Sequence, residues 1–294
     1  MCMSLSQAEF SQTRLYAGEA KLEGKYVHVI AYQNSAQSEG PNAMVLPLPA
    51  AVMPGPENVV DTRTFKGFLA EMERATRVSW PSASRSARLG LPGPAAVFDV
   101  GSYTVVLAEK PADVANALAS VPEEKRPALN PDLLAAFDEL YPGWPIAVCC
   151  WNGRIKAEPL LWWFEPMHPG WLFLPALDAH DGRAPDPDAI VYVDHFIAFG
   201  STLEPLGDNV LYGSAGLPPI AAALLPPKVR GTKVRKHLPN ADVWRATGTF
   251  PGPALRCAPP GQPISSGMLG KLAASFGRGC PAKRKMDVPL DGWQ

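Results

Sequence analysis

The sequence predicts an α+β fold dominated by antiparallel β-sheet, with a few short helices and an irregular, basic C-terminal arm. Three observations carry that reading. Short segments rich in β-branched and aromatic residues recur along the chain, bounded by Pro, Gly or Asn. Proline accounts for 33 of the 294 residues, roughly twice the average usage of about 5%. Each proline removes a backbone donor and fixes φ, which favours strand ends, turns and extended connections over long helices. Finally, the overall charge of −1 hides an asymmetry. Between positions 228 and 285 stand twelve Lys or Arg and one acid, Asp242, a net of +11, while residues 1–227 carry −10. An acidic body, 1–214, is thus joined to a Pro- and Gly-rich basic arm, 215–294.

The strand candidates, in order, are 25–33 (KYVHVIAYQ), 43–49, 95–108, 145–151, 159–166, 171–177 and 189–199. Two of these regions read as hairpins of a duplicated sheet: 27–49 around Asn34, and 146–166 around Asn152 and Gly153. Residues 61–77 place Phe65, Phe68, Leu69 and Met72 on one helical face behind Asp61, a candidate cap. A second helix starts after Asn130, with Pro131 at its first position and a Pro-Gly stop. A third is predicted from Ser265, with Met268, Leu269, Leu272 and Phe276. The Ser- and Pro-rich stretch 79–95 reads as a mobile surface excursion. Residues 216–236 read as a short Ala-rich helical turn between two Pro-Pro pairs, leading as a hinge into the basic run.

No apolar run approaches the eighteen or so residues that cross a bilayer, and the first residues lack the basic-then-apolar pattern of a signal peptide. A soluble, cytoplasmic or otherwise intracellular protein without membrane attachment is therefore expected. The five cysteines, Cys2, Cys149, Cys150, Cys257 and Cys280, are odd in number and lack CxxC spacing, which predicts free thiols.

The adjacent Cys149 and Cys150 draw attention first. Strand alternation sends their side chains to opposite faces, and nothing nearby supplies a base or positive potential to activate either thiol. Two buried residues in a strand covered on both faces is the expected arrangement. More suggestive is LFLPALDAHDGRAPDPD, which sets Asp178, His180, Asp181, Asp186 and Asp188 close together, with Asp194 and His195 on the following strand. His and carboxylates are the residue types for acid-base catalysis or for a divalent metal. The candidate catalytic residues are His180, Asp181 and His195. The candidate metal ligands are Asp178, His180 and His168, and a divalent ion is the one cofactor this cluster would take. An Asp-Gly step with alternating Pro and Asp describes an ordinary turn equally well. His195 also shares the apolar face of Val191, Val193, Ile197 and Phe199, where a buried, hydrogen-bonded histidine is expected. Phosphate-loop and nucleophile-elbow motifs are absent from the sequence.

The arm is the other candidate. Lys228, Arg230, Lys233, Arg235 and Lys236, followed by Arg245 and by Lys283, Arg284 and Lys285, form a surface suited to an acidic protein face or a polyanion. Aromatic residues are scarce there and no nucleic-acid-binding signature accompanies the charge. A +11 segment next to a −10 body is instead suited to packing on its own body or on a neighbouring subunit.

The phrases NAMVLPLPA, VFDVGSYTVVLA and HPGWLFLPALDAHDG resemble those of a loosely defined group of uncharacterised microbial proteins, over about residues 10–200. The resemblance implies a recurring β-rich unit whose most distinctive polar phrase contains His180, Asp181 and Gly182. Asp178 stands where a second His is usual, which weakens a two-histidine metal site. The combined expectation is a non-enzymatic binding or self-assembly protein, a homo-oligomer or partner of another protein, acting through its basic arm. A hydrolase or metal-binding enzyme centred on His180 and Asp181 is the alternative, and nucleic-acid binding through 228–245 a further one.

Overall fold

The protein is described by a computed structural model covering residues 3–77, 97–213, 216–247 and 255–256. Along these residues run β1 (Met3–Ser4), β2 (Glu9–Leu22), β3 (Lys25–Pro47), α1 (Phe68–Thr76), β4 (Val97–Val100), β5 (Tyr103–Ala108), α2 (Val114–Leu118) and α3 (Pro131–Leu140). There follow β6 (Ile146–Lys156), β7 (Leu160–Phe164), β8 (Trp171–Leu174), β9 (Ile190–Ser201), β10 (Asp208–Asn209), α4 (Pro219–Leu224), β11 (Lys228–Pro239), β12 (Val243–Ala246) and β13 (Leu255–Arg256). The predicted α+β class with little helix is the architecture observed. The predicted loop 79–95, the helix from Ser265, and Lys283, Arg284 and Lys285 lie outside the described residues, as do Cys2, Cys257 and Cys280.

Ten strands form one sheet in the order β10-β11-β9-β2-β3-β6-β5-β4, with β1 and β7 also paired to β3. Every pairing is antiparallel except β2 with β9, which run parallel from Thr13↔His195 to Glu19↔Ser201. A second sheet, β13-β12-β8, has three strands.

Strand β3 is the spine. Along one edge it pairs with β2 and, further on, β1; along the other with β7 at 28–32 and β6 at 35–47. Neither expected hairpin exists. Residues 25–47 continue as one strand through the polar stretch that reads as a loop, and β6 and β7 lie end to end along that strand. Backbone ladders need no apolar side chains, so Gln33, Ser35 and Gln37 stay paired while their side chains sit near the surface. Asn34, the supposed turn residue, is buried and accepts a 2.7 Å hydrogen bond from the Tyr103 hydroxyl. Gly153 has φ 65°, a local irregularity within β6 rather than a hairpin tip.

Around β2, β3 and β9 the alternation of side chains creates two cores. Leu15, Ala17, Ile30, Tyr32, Ile197 and Phe199 share one cluster with β12 and α3; Tyr16, Val29, Ala31, Phe196 and Ala198 share another with α1 and α4. Burial of both faces explains the near-continuous apolar runs. Cys149 and Cys150 are fully buried in the first cluster, as their strand position predicts.

Two helices sharpen the sequence reading. Asn130 caps α3, its Oδ1 accepting from Leu133 N at 3.1 Å, with Pro131 at the first position. Helix α1 begins only at Phe68, because Asp61 accepts from Arg63 N two residues on, and Thr62 donates at 2.7 Å to Pro159 O. Those local and distant bonds compete successfully with helix over 61–67.

The basic arm also departs from expectation. Residues 228–239 form β11, paired with β9 from Val229 to Pro239, and 243–246 form β12 in the small sheet. The irregular arm therefore does not begin at 215; the body extends through at least Ala246. Asn240 secures the junction, donating to Asp178 O at 2.9 Å and Asp186 O at 3.1 Å while accepting from Asp178 N.

Candidate functional site

The turn after β8 is held by its neighbours. Ser4 N donates to Ala179 O and Ala8 N to His180 O, so the N-terminal segment runs alongside it. Asn130 Nδ2 donates to Leu5 O and Gly182 O, tying the same turn to the start of α3. On this frame His180 Nε2 stands 2.6 Å from Asp178 Oδ1, with its ring 4.9 Å from that of Phe10. Burial opposes ionisation of Asp178, but the hydrogen bond and charge of His180 outweigh it and hold the carboxyl below its usual range. His195 is 6% exposed. Burial lowers it to about 3, against the pull of the Asp194 carbonyl and the Asp178 carboxylate, so it is a neutral imidazole at physiological pH.

The structure thus brings Asp178, His180 and His195 to one region. It does not bring Asp181 there. Its carboxylate accepts from the Arg183 backbone and guanidinium within the turn itself, which is the ordinary turn chemistry the sequence allowed. His168 is elsewhere, its ring 5.5 Å from Trp244 and 6.0 Å from Trp144. Among the described residues no three His, Cys, Asp or Glu side chains come together as a metal-ligand group. Asp178 and His180 alone stand in direct contact. Ser4, whose backbone N–H bonds Ala179 O, gives its hydroxyl proton to Ser6 O at 2.8 Å rather than to His180.

The cations of 228–245 fall into three settings. Lys233 and Arg235 converge on Asp194, at 2.8 and 3.2 Å, an arrangement set by the β9–β11 register opposite Phe196 and Asp194. Lys228, Arg230 and Lys236 are half-buried along β11. Arg245 is 5% exposed, its guanidinium 5.1 Å above the Phe199 ring. A continuous, open cationic stripe of the kind that tracks a phosphate backbone is not what these eighteen positions present.

A further group was not apparent from the sequence. Glu19 and His28 are paired across β2 and β3, and Tyr26 follows two residues before His28 on the same face. The Tyr26 hydroxyl lies 2.6 Å from Glu19 Oε2, 2.9 Å from Pro169 O and 3.1 Å from His28 Nε2. Its single proton goes to the carboxylate, the closest and most basic acceptor. Burial, then the Glu19 hydrogen bond and charge, push the phenol well above its usual range. Burial lowers His28 to about 4. Glu19 also lines a small cleft of about 30 Å³ together with Leu172, Phe199, Glu204, Leu206 and Arg245 among others. Burial, then Arg230, lowers Arg245 to about 10, against the attraction of Glu19, so it stays protonated. The residues come from β2, β3, β9 and β12, too dispersed for any local spacing to mark them.

No protein-family model matches the chain, and no curated protein matches it. Among solved structures the chain is similar to the crystal structure of baculovirus P35, at 12% identity and a TM-score of 0.41, over 68% of this chain and 67% of that chain. A likeness at that level carries no conclusion about function. Among the described residues no helix is long and apolar enough to cross a membrane.

Proposed function

We propose that this chain is a non-enzymatic binding protein that associates with copies of itself through its basic C-terminal segment. The observation that supports the reading is the convergence of Lys233 and Arg235 on Asp194. The start of the basic segment packs on the acidic body by β-pairing plus charge, and the remaining cations, Arg256, Lys271, Arg278, Lys283, Arg284 and Lys285, would extend that complementarity to a neighbouring copy. The test is the solution mass of the full chain at low and high salt, beside the variant Lys283→Glu, Arg284→Glu, Lys285→Glu. A salt-sensitive oligomer that the variant loses is expected; identical masses for both proteins under both conditions overturn the role of the segment. Truncation near residue 214 is unsuitable, because it would strip β11 and β12 from the sheets.

A second reading rests on the Asp178–His180 contact. It makes the turn an acid-base site of a hydrolase, or with a divalent ion a metal site. Metal content of the purified protein, and its change in His180→Ala, decides between the two versions. Hydrolytic activity that is unchanged in that variant removes the site altogether.

A further inference from the structure

A strand at the edge of a sheet presents unpaired N–H and C=O groups to any extended chain that reaches it. Strand β11 is such an edge over much of its length. Strand β10 covers only its start, pairing Asp208 with Val229 and Asn209 with Lys228. Just before β10 the backbone turns at Gly207, whose φ is 109°, and the pairing goes no further. Beyond it Gly231–Arg235 pair with β9 on one side. On the other side, among the described residues, no strand pairs with them and no hydrogen bond reaches their backbone.

The side chains along this edge are basic. Strand alternation puts Lys233 and Arg235 on one face, where both share the single carboxylate of Asp194. Arg235 reaches it through Nε alone, and its side chain is 65% exposed. Such an edge discriminates among incoming strands, because opposite charges across a ladder stabilise it and like charges directly opposite destabilise it. The β11 of a second copy would set Lys and Arg against Lys and Arg. The acidic run of this chain at Asp186 and Asp188 is interleaved with Pro185 and Pro187, which have no N–H to donate to a ladder. A segment from another protein, with carboxylates at alternate positions and its amides intact, meets both demands.

We propose that the outer edge of β11, over Gly231–Arg235, binds an extended acidic segment of another protein by strand addition. The partner's backbone continues the ladder, and its carboxylates face Lys233 and Arg235. Main-chain bonds then supply affinity, and the alternate charges supply selectivity. This goes beyond self-association, and peptide binding is read separately from oligomer mass, so either can fail alone.

The experiment uses the full-length protein and a fluorescein-labelled peptide, TEVEVEVT. The comparison probes are TKVKVKVT, oligothymidylate, and the acidic peptide N-methylated on its valine amides or on its glutamate amides. Fluorescence anisotropy should show saturable binding of the acidic peptide and none of the basic one. One of the two methylated peptides should bind about tenfold or more weakly, because only alternate amides face the edge. Hydrogen exchange should slow within 230–239 when the peptide binds. The double variant Lys233→Gln, Arg235→Gln, folded by circular dichroism, should bind about fivefold more weakly. The proposal is overturned if the acidic peptide does not bind, if both methylated forms or the double variant bind as tightly as the parent pair, or if protection falls on another segment. Equal binding of oligothymidylate would make the edge a general polyanion surface instead. Protection of 230–239 that rises with protein concentration alone would make a second copy the occupant, and either result also overturns the proposal.

Discussion

The Tyr141 hydroxyl donates a 2.5 Å hydrogen bond to Asp242 Oδ2, joining the end of α3 to the approach of β12, 101 residues later. The other oxygen of the same carboxylate accepts from Ala176 N at 2.7 Å and Leu177 N at 3.0 Å. The one acid of the basic segment is thus a buried structural fastener.

Removing it should be severe. Asp242→Ala leaves two backbone donors and a phenol without an acceptor in the interior, a loss of about 3 kcal/mol or more. Tyr141→Phe, which deletes one bond to the carboxylate, should cost about 1.5–3 kcal/mol. Urea unfolding of both variants, with unchanged m, is the measurement.

Acid should destabilise the fold through its histidines. Burial holds His28 at about 4 and His195 at about 3, both below the unfolded value near 6.5. A folded pKa below the unfolded one means that the unfolded chain binds more protons as pH falls. Stability is then full above about 6.5 and declines from there towards 4 and 3, by up to about 1.4 kcal/mol per pH unit for each group. Asp242, raised by burial, acts in the opposite sense, since its protonation favours the folded state. The carboxyls held low by partners, Asp61, Asp178, Asp181 and Asp194, add their losses only below about 4. Urea midpoints between pH 7 and 4.5 should therefore fall, and should fall less in His28→Gln and His195→Gln.

Gly182 and Gly153 both have positive φ, 78° and 65°. A Cβ at Gly182 would meet Leu5 O at 2.7 Å and Asn130 Nδ2 at 2.9 Å, whereas one at Gly153 meets nothing within 4 Å. Gly153→Ala should cost about 1 kcal/mol, the conformational component alone. Gly182→Ala should cost more, about 2–3 kcal/mol, by adding a steric clash to the left-handed backbone. Paired denaturation curves separate the two.

Cys149 and Cys150 should resist thiol reagents in the folded protein. Both are fully buried, and burial pushes the Cys150 thiol up to about 12 despite Lys125. Labelling followed by peptide mass analysis should find these two modified only after unfolding.

The Asp194 contacts with Lys233 and Arg235 are partly solvent-exposed. Asp194→Ala should cost under about 1 kcal/mol, and less at high salt. A loss well above that in urea unfolding would mean that the carboxylate does more than pair with these two cations.

Several elements could be read directly from the sequence. The capped start of α3, the alternation that buries Cys149 and Cys150, and the apolar strand 189–199 all rest on local periodicity and capping chemistry, whereas the segment expected as one strand over 95–108 is an antiparallel pair, β4 and β5, turning at Gly101. Strand β2 was invisible, because its sequence EFSQTRLYAGEAKL has few β-branched residues. It becomes central only because β3 and β9 flank it. Strand β11 reads as a charged arm for a similar reason: its backbone pairs with β9 while Lys233 and Arg235 find Asp194 on the neighbouring strand.

By itself the sequence determined composition, the charge imbalance, the β-dominated class and the residue types able to do acid-base work. Those properties are local or additive along the chain. Tertiary structure alone decided that 25–47 is one strand rather than part of a hairpin, that Asp181 leaves the Asp178–His180 pair, and that Glu19 and Arg245 line one cleft. Strand pairing and register bring together residues up to about two hundred positions apart, and that closure depends on all the competing backbone partners at once.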